Sequence, residues 1–483
     1  MAQDGRKTRW GAAVSMGVEG RTYRPVVDHD ICGACAVCLH GCPAERIPEM
    51  RSEPESLRGR IYGHEDPFAL PLVDSPAAIP PCRAACPLGQ DIPGYVGLLA
   101  QGLVREALER IHEHNPLPSV CGHICTRPCE AACTRTRLND PVPIRALKAF
   151  ASQRGGAGPV QVGVLEDNRP SVAIVGSGPA GLTAAHDLAR RGIRCLVLES
   201  HDRPGGMPAW AVPRFRLPPE ALERDIQGIL GLGVELRTNV RFGFDVTLED
   251  LHEQGIRAVL LATGTVKGLS LDIPGENSQG VMDGLAFLRG VNSGDHRVPG
   301  GHVLVVGGGN TAMDAARTVR RLGGEATVIY RRGPGQMPAG SAEVREAEQE
   351  GVMFCFLTAP LRIIAGEDGR MKGLLCIRTE LRRTEQDKRP KPFPLSGTEY
   401  EIAGDALIPA VGQVPDLTPL VKGLGLKDSA RFRLDPASLE TGYSGVFAAG
   451  DLLTGPTSVV EAMAGGRRAA RAIRDYLQGE ASE

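Results

Sequence analysis

The sequence predicts an α/β chain with two parallel-sheet units, preceded by an α-helical, cysteine-rich front. The first observation is a repeated pattern. The apolar strand Val172–Val175 leads through a glycine-rich turn into a helix from Pro179 to Arg191, then the strand Cys195–Leu198. About 130 residues later the unit returns as His302–Val306, a helix from Thr311 to Leu322, and the strand Ala326–Tyr330. Strand, turn, helix and strand in that order build a right-handed crossover and a parallel sheet. The second observation is a helical period ahead of them, with Tyr95, Leu98, Leu99, Leu103 and Leu108 between Ile92 and His114. The third is cysteine crowding: ten of the 13 cysteines fall between Cys32 and Cys133.

A length of 483 residues suits three or four domain-sized units. The net charge of −2 argues against a large basic nucleic-acid surface. No apolar run approaches the roughly 18 residues of a membrane span. The opening MAQDGRKTRW lacks the apolar stretch of a secretory signal, so the expected location is cytoplasmic. In a reducing compartment clustered cysteines bind metal rather than pair as disulfides. Cys195, Cys355 and Cys376 stand singly in apolar surroundings and read as core thiols.

Residues 1–31 show no clear periodicity, and 51–80, rich in Pro, Glu, Arg and Ser, read as an irregular connector. A short helix is expected around Pro143–Arg154, followed by a Gly- and Pro-punctuated linker over 155–170.

In SVAIVGSGPAGLTAAHDLARRGIRCLVLE, Gly176, Gly178 and Gly181 follow a strand and open a helix at Pro179 and Ala180. Gly176 permits the tight turn, Gly178 lets the backbone approach a diphosphate, and Gly181 lets helix pack on sheet. The diphosphate would rest on the helix N-terminus, where unpaired N–H groups and the dipole favour an anion. Glu199, 23 residues after Gly176, ends the next strand where a carboxylate can bond a ribose. A glycine-rich turn in an unrelated α/β protein is the blander reading, and the complete strand–turn–helix–strand context weighs against it.

Glu199 is followed by HDRPGGM, placing Arg203, Gly205, Gly206 and Met207 for a second pass near the same dinucleotide. LLATG carries Thr263 and Gly264, and TGYSGVFAAGDLLTGPTSVVEAMAGG carries Gly450, Asp451, Ser458 and Val459. These segments resemble the crossover and return segments of flavoproteins with two dinucleotide-binding domains. The resemblance implies Rossmann-like domains, FAD in the first of them, and Asp451 at the ribityl chain.

The second turn, HVLVVGGGNTAMDAARTVRRLGGEATVIYRR, carries Gly307, Gly309 and Ala312, with Asn310 and Thr311 at the helix start. The position equivalent to Glu199 is Tyr330, followed by Arg331 and Arg332. No carboxylate waits for a 2′-hydroxyl, whereas two guanidiniums can pair with a 2′-phosphate, which favours NADPH over NADH. A solvated surface pair is the alternative for these arginines. DALIPAVGQVP, with Gly412, resembles the chain's return from a nicotinamide domain. A disulfide reductase of this build needs a redox cysteine pair beside the flavin, and GGMPAWAVPRFRLP has none.

Cys32-x2-Cys35-x2-Cys38-x3-Cys42-Pro matches the bacterial ferredoxin spacing for a [4Fe–4S] cluster; zinc is the alternative. Cys82-x3-Cys86-Pro and Cys121-x3-Cys125-x3-Cys129-x3-Cys133 complete the set. With CP-x3-D-I-P, N-x-L-P-x-V-C-G-x-I-C, PCEAAC, PRFRLP and YRR…MPA, residues 80–480 resemble the glutamate synthase small-subunit family, which includes the N-terminal part of dihydropyrimidine dehydrogenase.

The resemblance implies two [4Fe–4S] clusters in the helical front. By position, Cys86, Cys121, Cys125 and Cys129 would ligate one, leaving Cys82 and Cys133 two ligands short. The family's usual first motif has two more cysteines, where this chain has Ser75–Pro81. The cysteine pairing therefore stays open. The expected domains are a ferredoxin-like segment and connector (1–79), a helical Fe–S domain (80–155), an FAD domain (170–285 with 404–483) and an NAD(P)H domain (286–403).

The expected function is electron transfer between NAD(P)H, FAD and [4Fe–4S] clusters, to or from a partner subunit or ferredoxin. No separate catalytic side chain is assigned, because the hydride would pass to the flavin. The alternatives are a glutamate synthase small subunit feeding a large amidotransferase subunit, and a non-catalytic FAD and metal docking scaffold.

Overall fold

The computed structural model describes residues 14–19, 22–27, 79–156, 171–383, 389–427 and 439–480. The four cysteines of the ferredoxin-like motif, Cys32, Cys35, Cys38 and Cys42, lie outside them, as does most of the 155–170 linker. The described residues fall into two compact units. The first takes those up to 161 plus Val459–Ala464; the second takes those of 162–458 plus those from Gly465 onward.

In the first unit, β1 (Val14–Glu19) and β2 (Thr22–Val27) pair antiparallel. They lie in the stretch where sequence periodicity suggested nothing. Helices follow: α1 (Pro81–Ala84), α2 (Ile92–Ala100), α3 (Val104–His112), α4 (Pro118–Ile124), α5 (Pro128–Ala131) and α6 (Ile144–Arg154). The single helix expected over 92–114 is in fact two, α2 and α3. Gly102 takes φ +79° between them, a left-handed backbone that ends a helix. Leu103, counted in the helical stripe, is consequently exposed. Asp91 caps α2, its Oδ1 accepting the Gly94 N–H at 3.1 Å.

A core of Tyr95, Ile111, Leu117, Val120, Ile144 and Ala151 is almost wholly shut from water. At its centre α4 and α6 cross closely. A Cβ on Gly122 would lie 2.7 Å from the Ala149 Cα, so only glycine fits. That contact explains the glycine inside the C-G-x-I-C segment.

The second unit holds two parallel sheets. Its elements are β3 (Ser171–Val175), α7 (Pro179–Ala189), β4 (Arg194–Leu198), α8 (Met207–Trp210), α9 (Pro219–Leu230), β5 (Glu235–Arg237), α10 (Leu248–Glu253) and β6 (Ile256–Leu261). After β7 (Lys267–Gly268) come α11 (Gly284–Asn292), β8 (His302–Val306), α12 (Asn310–Arg321), β9 (Glu325–Tyr330), α13 (Ser341–Gln349) and β10 (Met353–Phe356). Then β11 (Thr358–Ala365), β12 (Met371–Arg382) and β13 (Lys391–Ala403) form an antiparallel sheet of their own. The chain closes with β14 (Ala406–Pro409), β15 (Gln413–Val414), α14 (Thr418–Gly423), β16 (Val446–Ala448), α15 (Asp451–Thr454) and α16 (Val459–Glu480).

The first sheet runs β16-β6-β3-β4-β5 and the second β10-β9-β8-β14, all pairs parallel. Sheets covered on both faces need continuous apolar strands, as in SVAIV, IRAVLL and HVLVV. The second sheet draws its edge strand β14 from beyond residue 403, where the sequence reading ended that domain; Ala406 pairs with Val303. The chain leaves the first sheet through β7 and returns through β15, and these two short strands pair antiparallel. Among the described residues no helix is long and apolar enough to cross a membrane.

Candidate functional site: two dinucleotide turns and a thiol group

At the first turn each glycine has a different reason to be there. Gly176 takes φ +107°, and a Cβ would sit 2.5 Å from the Ala262 carbonyl. At Gly181 a Cβ would lie 2.0 Å from the Gly176 carbonyl, closing helix α7 on the turn. Gly178 is different. Its φ of −70° suits any residue, and a Cβ would meet nothing nearer than the Gly206 Cα at 3.9 Å. The protein itself does not demand a glycine there, so the demand comes from something approaching from outside. That is what a diphosphate does.

Glu199 ends β4 and is buried. Its Oε2 accepts the Ser177 N–H (3.2 Å) and hydroxyl (2.5 Å), and its Oε1 accepts the His201 N–H (2.9 Å). Ser177 Oγ accepts in turn from the Gly205 N–H at 3.1 Å. Ser177, an unmarked position of the motif, thus ties the turn to the carboxylate and to the Pro-Gly-Gly segment. No pattern in the sequence signals that role.

Gly206, at φ +61°, presses on the turn, where a Cβ would be 2.7 Å from the Gly178 Cα. Met207, partly buried, packs on the core of the second sheet. The exposed Arg203 guanidinium lies 4.7 Å over the Trp210 ring. From the C-terminal side Gly450 and Gly466 touch Ala180, where added Cβ atoms would come within 2.7 and 2.0 Å. Asp451 accepts from the Thr457 N–H (3.1 Å) and hydroxyl (2.6 Å), one residue before Ser458 and the start of α16 at Val459. Thr263, next to Gly264, has a buried hydroxyl without a hydrogen-bond partner, as has the Trp210 indole N–H. Orphaned buried polar atoms are costly. Together with the open Gly178 they fit a bound dinucleotide such as FAD.

The second turn repeats the contrast. Gly307, at φ +149°, leaves 2.3 Å between a Cβ and the Ala410 carbonyl, and it abuts the buried Ala312. Gly308 lies under the Tyr330 ring, 2.5 Å from a would-be Cβ. Gly309 has φ −92° and nothing within 4 Å, and it opens α12 at the exposed Asn310. Gln413 bridges onward. Its amide donates to the Thr311 hydroxyl (3.2 Å), and its carbonyl accepts from the Thr265 hydroxyl (3.3 Å). Gly412 beside it takes φ +144°.

The Tyr330 hydroxyl donates to the Gln336 carbonyl at 2.7 Å, holding the loop after β9. Arg332 donates through Nε to the Pro390 carbonyl at 3.2 Å. Arg331 is exposed, and its guanidinium has no hydrogen bond or ion pair among the described residues. A free guanidinium at the end of the second strand, where a carboxylate would select a 2′-hydroxyl, suits a 2′-phosphate.

In the first unit six cysteines are buried and form no disulfide among the described residues: Cys82, Cys86, Cys121, Cys125, Cys129 and Cys133. The Tyr95 hydroxyl is fully enclosed without a hydrogen-bond partner. Burial pushes its pKa well up, and Cys129, Cys86, Cys82 and Cys125 add to that. These four thiols thus lie close enough to Tyr95 to act on its hydroxyl, while the Cys121 thiol approaches the Met463 Sδ at 3.6 Å.

Cys86 accepts from the Gln90 amide (3.4 Å), and Gln90 from Asn115 (3.4 Å), which accounts for the asparagine of N-x-L-P. Burial pushes the Cys129 thiol up to about 12, moderated by the nearby Lys148 ammonium. Binding iron requires the thiol to give up its proton. No three His, Cys, Asp or Glu among the described residues converge tightly enough for a single metal ion. A [4Fe–4S] cluster held by these thiols would supply anionic sulfur as an acceptor for the Tyr95 hydroxyl. The residues fit a cluster. Cys129→Ser should remove one cluster's worth of iron while FAD stays bound, and Cys121→Ser should leave the iron in place. Iron and flavin assays on purified protein read both.

A helical thiol unit together with two glycine-cradled dinucleotide turns defines a flavin- and pyridine-nucleotide-dependent oxidoreductase. Residues 170–466 match the pyridine nucleotide-disulphide oxidoreductase family, and residues 77–157 match the dihydropyrimidine dehydrogenase domain II, 4Fe-4S cluster family. The chain belongs to the pyridine nucleotide-disulphide oxidoreductase family. Its cofactors are accordingly FAD, NAD(P)H and [4Fe–4S].

Over 84% of its length the chain is 39% identical to the NADP(+)-dependent formate dehydrogenase subunit beta of Moorella thermoacetica, covering 61% of that protein. It is 37% identical to the NADPH-Fe(3+) oxidoreductase subunit beta of Geobacter sulfurreducens, over 82% of this chain and 64% of that one. It is also 34% identical to the glutamate synthase [NADPH] small chain of Escherichia coli, over 83% of this chain and 89% of that one. The chain thus spans under two thirds of the first two relatives. Among solved structures, FprA of Mycobacterium tuberculosis in complex with NADPH shares the fold at TM-score 0.57 and 20% identity, over 65% of this chain and 86% of that one.

Proposed function

We propose that this chain exchanges electrons between NADPH and [4Fe–4S] clusters through FAD, serving a partner subunit or ferredoxin. The observation that carries it is the pair of glycines, Gly178 and Gly309, that nothing inside the protein requires. Two dinucleotides have a place in one unit, and a scaffold has no use for the second. Bound FAD supplies the conversion of a two-electron hydride into single electrons that an iron–sulfur centre accepts.

The chain's own residues do the holding. The α7 and α12 N-termini face the diphosphates, Glu199 takes a ribose, and Asp451 with Thr263 completes the first site. Arg331 and Arg332 select the 2′-phosphate. Cys82, Cys86, Cys125 and Cys129 ligate one cluster, and Cys32, Cys35, Cys38 and Cys42 a second. The partner is a protein subunit, as the beta-subunit names of two relatives suggest for those proteins. The thiol-rich chemistry suits the cytoplasm.

A second reading, a glutamate synthase small subunit, is favoured by the 89% coverage of the Escherichia coli small chain. It differs in the partner, a large amidotransferase subunit that would co-purify. The test of the main reading is an anaerobic absorbance titration. NADPH should bleach both the flavin bands and the broad iron–sulfur shoulder, and NADH should do so less readily. A flavin indifferent to both coenzymes sinks it.

A further inference from the structure

One short segment of the second unit touches the first dinucleotide turn and the helix that follows the second. It begins at Gly205 and Gly206, locked on the first turn by the Gly205 N–H to the Ser177 carbonyl (3.1 Å) and by the close approach to Gly178. It then runs along the second sheet's helices. Asn292, at the end of α11, donates to the Trp210 and Val212 carbonyls (3.1 and 2.9 Å), and Arg214 donates to the Asn292 carbonyl (2.7 Å). The Phe215 ring lies under the Arg317 and Arg321 guanidiniums (4.9 and 4.1 Å), which Glu350 holds at 2.7 Å each. Finally Arg216 donates through Nη1 to both carboxylate oxygens of Asp314 (2.7 and 2.8 Å), with Glu343 3.7 Å away. Asp314 sits one turn into α12, the helix whose first residues face the second dinucleotide.

We propose that Arg216, clamped on Asp314, is a positioning residue that sets the second dinucleotide turn at working distance and angle from the first. The inference rests on the reading that hydride passes between the two bound dinucleotides. Stability alone is a poor reason for this pair. Both side chains are nearly excluded from water, at 13% and 7% exposure. The desolvation of such ions offsets much of their attraction, and apolar replacements are often no less stable. What a guanidinium gripping both oxygens adds is direction. It fixes α12 in rotation and distance against a segment already fastened to the flavin turn. The PRFRLP motif, which by sequence served only as a likeness, thereby gains a mechanical role.

The test uses the full chain with its cofactors, in two forms: R216K, which keeps the charge but loses the planar guanidinium, and R216M with D314L, an apolar replacement of the pair. FAD content and thermal midpoint establish folding. Amide hydrogen exchange over 310–314, without coenzyme, reads the seating of α12. Stopped-flow reduction of the flavin by NADPH separates the rate constant at saturation from the NADPH Kd.

Both forms should bind FAD and exchange faster at 310–314. A displacement of about 1 Å can slow a reaction by about 10²-fold, so the rate constant should fall by roughly that factor in the apolar form, with the Kd little changed. An unchanged rate constant and unchanged exchange overturn the proposal. So does a loss confined to Kd, which would make Arg216 a binding residue. If NADPH fails to reduce the wild-type flavin, the underlying function falls and the inference with it; if only the variants behave like wild type, the inference alone falls.

Discussion

Gly309→Val leaves the protein folded and flavin-loaded but sharply weakens its reduction by NADPH. The backbone at Gly309 is extended, at φ −92° and ψ 179°, which valine adopts readily, and the space around a Cβ is open. An apolar residue at this helix-capping position costs about 1 kcal/mol, too little to unfold a domain. The added methyls occupy the approach to the α12 N-terminus, where the diphosphate must come close to the backbone. A misfit of that size lowers coenzyme affinity by roughly 10²-fold or more. Gly307→Ala is the contrasting control. Its φ of +149° and the Ala410 carbonyl at 2.3 Å make it a folding defect, with strain of about 1–3 kcal/mol before the clash is counted. Thermal melts and NADPH titration of the two variants separate the cases. Unaltered NADPH affinity in Gly309→Val would remove α12 from the coenzyme site.

Arg331→Ala with Arg332→Ala weakens NADPH by about 10- to 100-fold and leaves NADH untouched. Each hydrogen bond to a charged group is worth roughly 1.5–3 kcal/mol, and a 2′-phosphate offers partners that a 2′-hydroxyl does not. The two arginines are unequal. Arg332 already gives its Nε to the Pro390 carbonyl, whereas the Arg331 guanidinium is uncommitted among the described residues. Arg331→Ala alone should therefore carry most of the loss. The discrimination should also fade with salt, because the site is exposed. Equal losses for both coenzymes, measured as Kd by flavin reduction, would refute the phosphate assignment.

What was legible in the sequence depended on how far each constraint reaches along the chain. Gly181 answers to the Gly176 carbonyl within the same turn, and Gly176 and Gly307 take a positive φ at turns that the strand–turn–helix spacing marks, so spacing exposed them. Gly122 answers to Ala149, a contact set by packing that no local spacing announces. The strands of the two parallel sheets could be read because burial on both faces leaves an unbroken apolar run. The division at Gly102 was hidden, since Leu103 and Leu108 fit a helical period as well across a break as within one helix. Ser177 and Gln413 were missed for a simpler reason: a serine or glutamine is common on any surface, and only its neighbours reveal its bond.

The glycine contact between α4 and α6 has a consequence for how this protein is assembled in time. The crossing is fastened by Gly122 on Ala149 and by a closed apolar core, none of which requires iron. In small zinc modules the metal is itself the folding energy. A core of this kind is expected to keep its shape when iron is chelated, so the helical signal of this unit should persist after cluster loss and the cluster should be rebuilt on adding iron and sulfide.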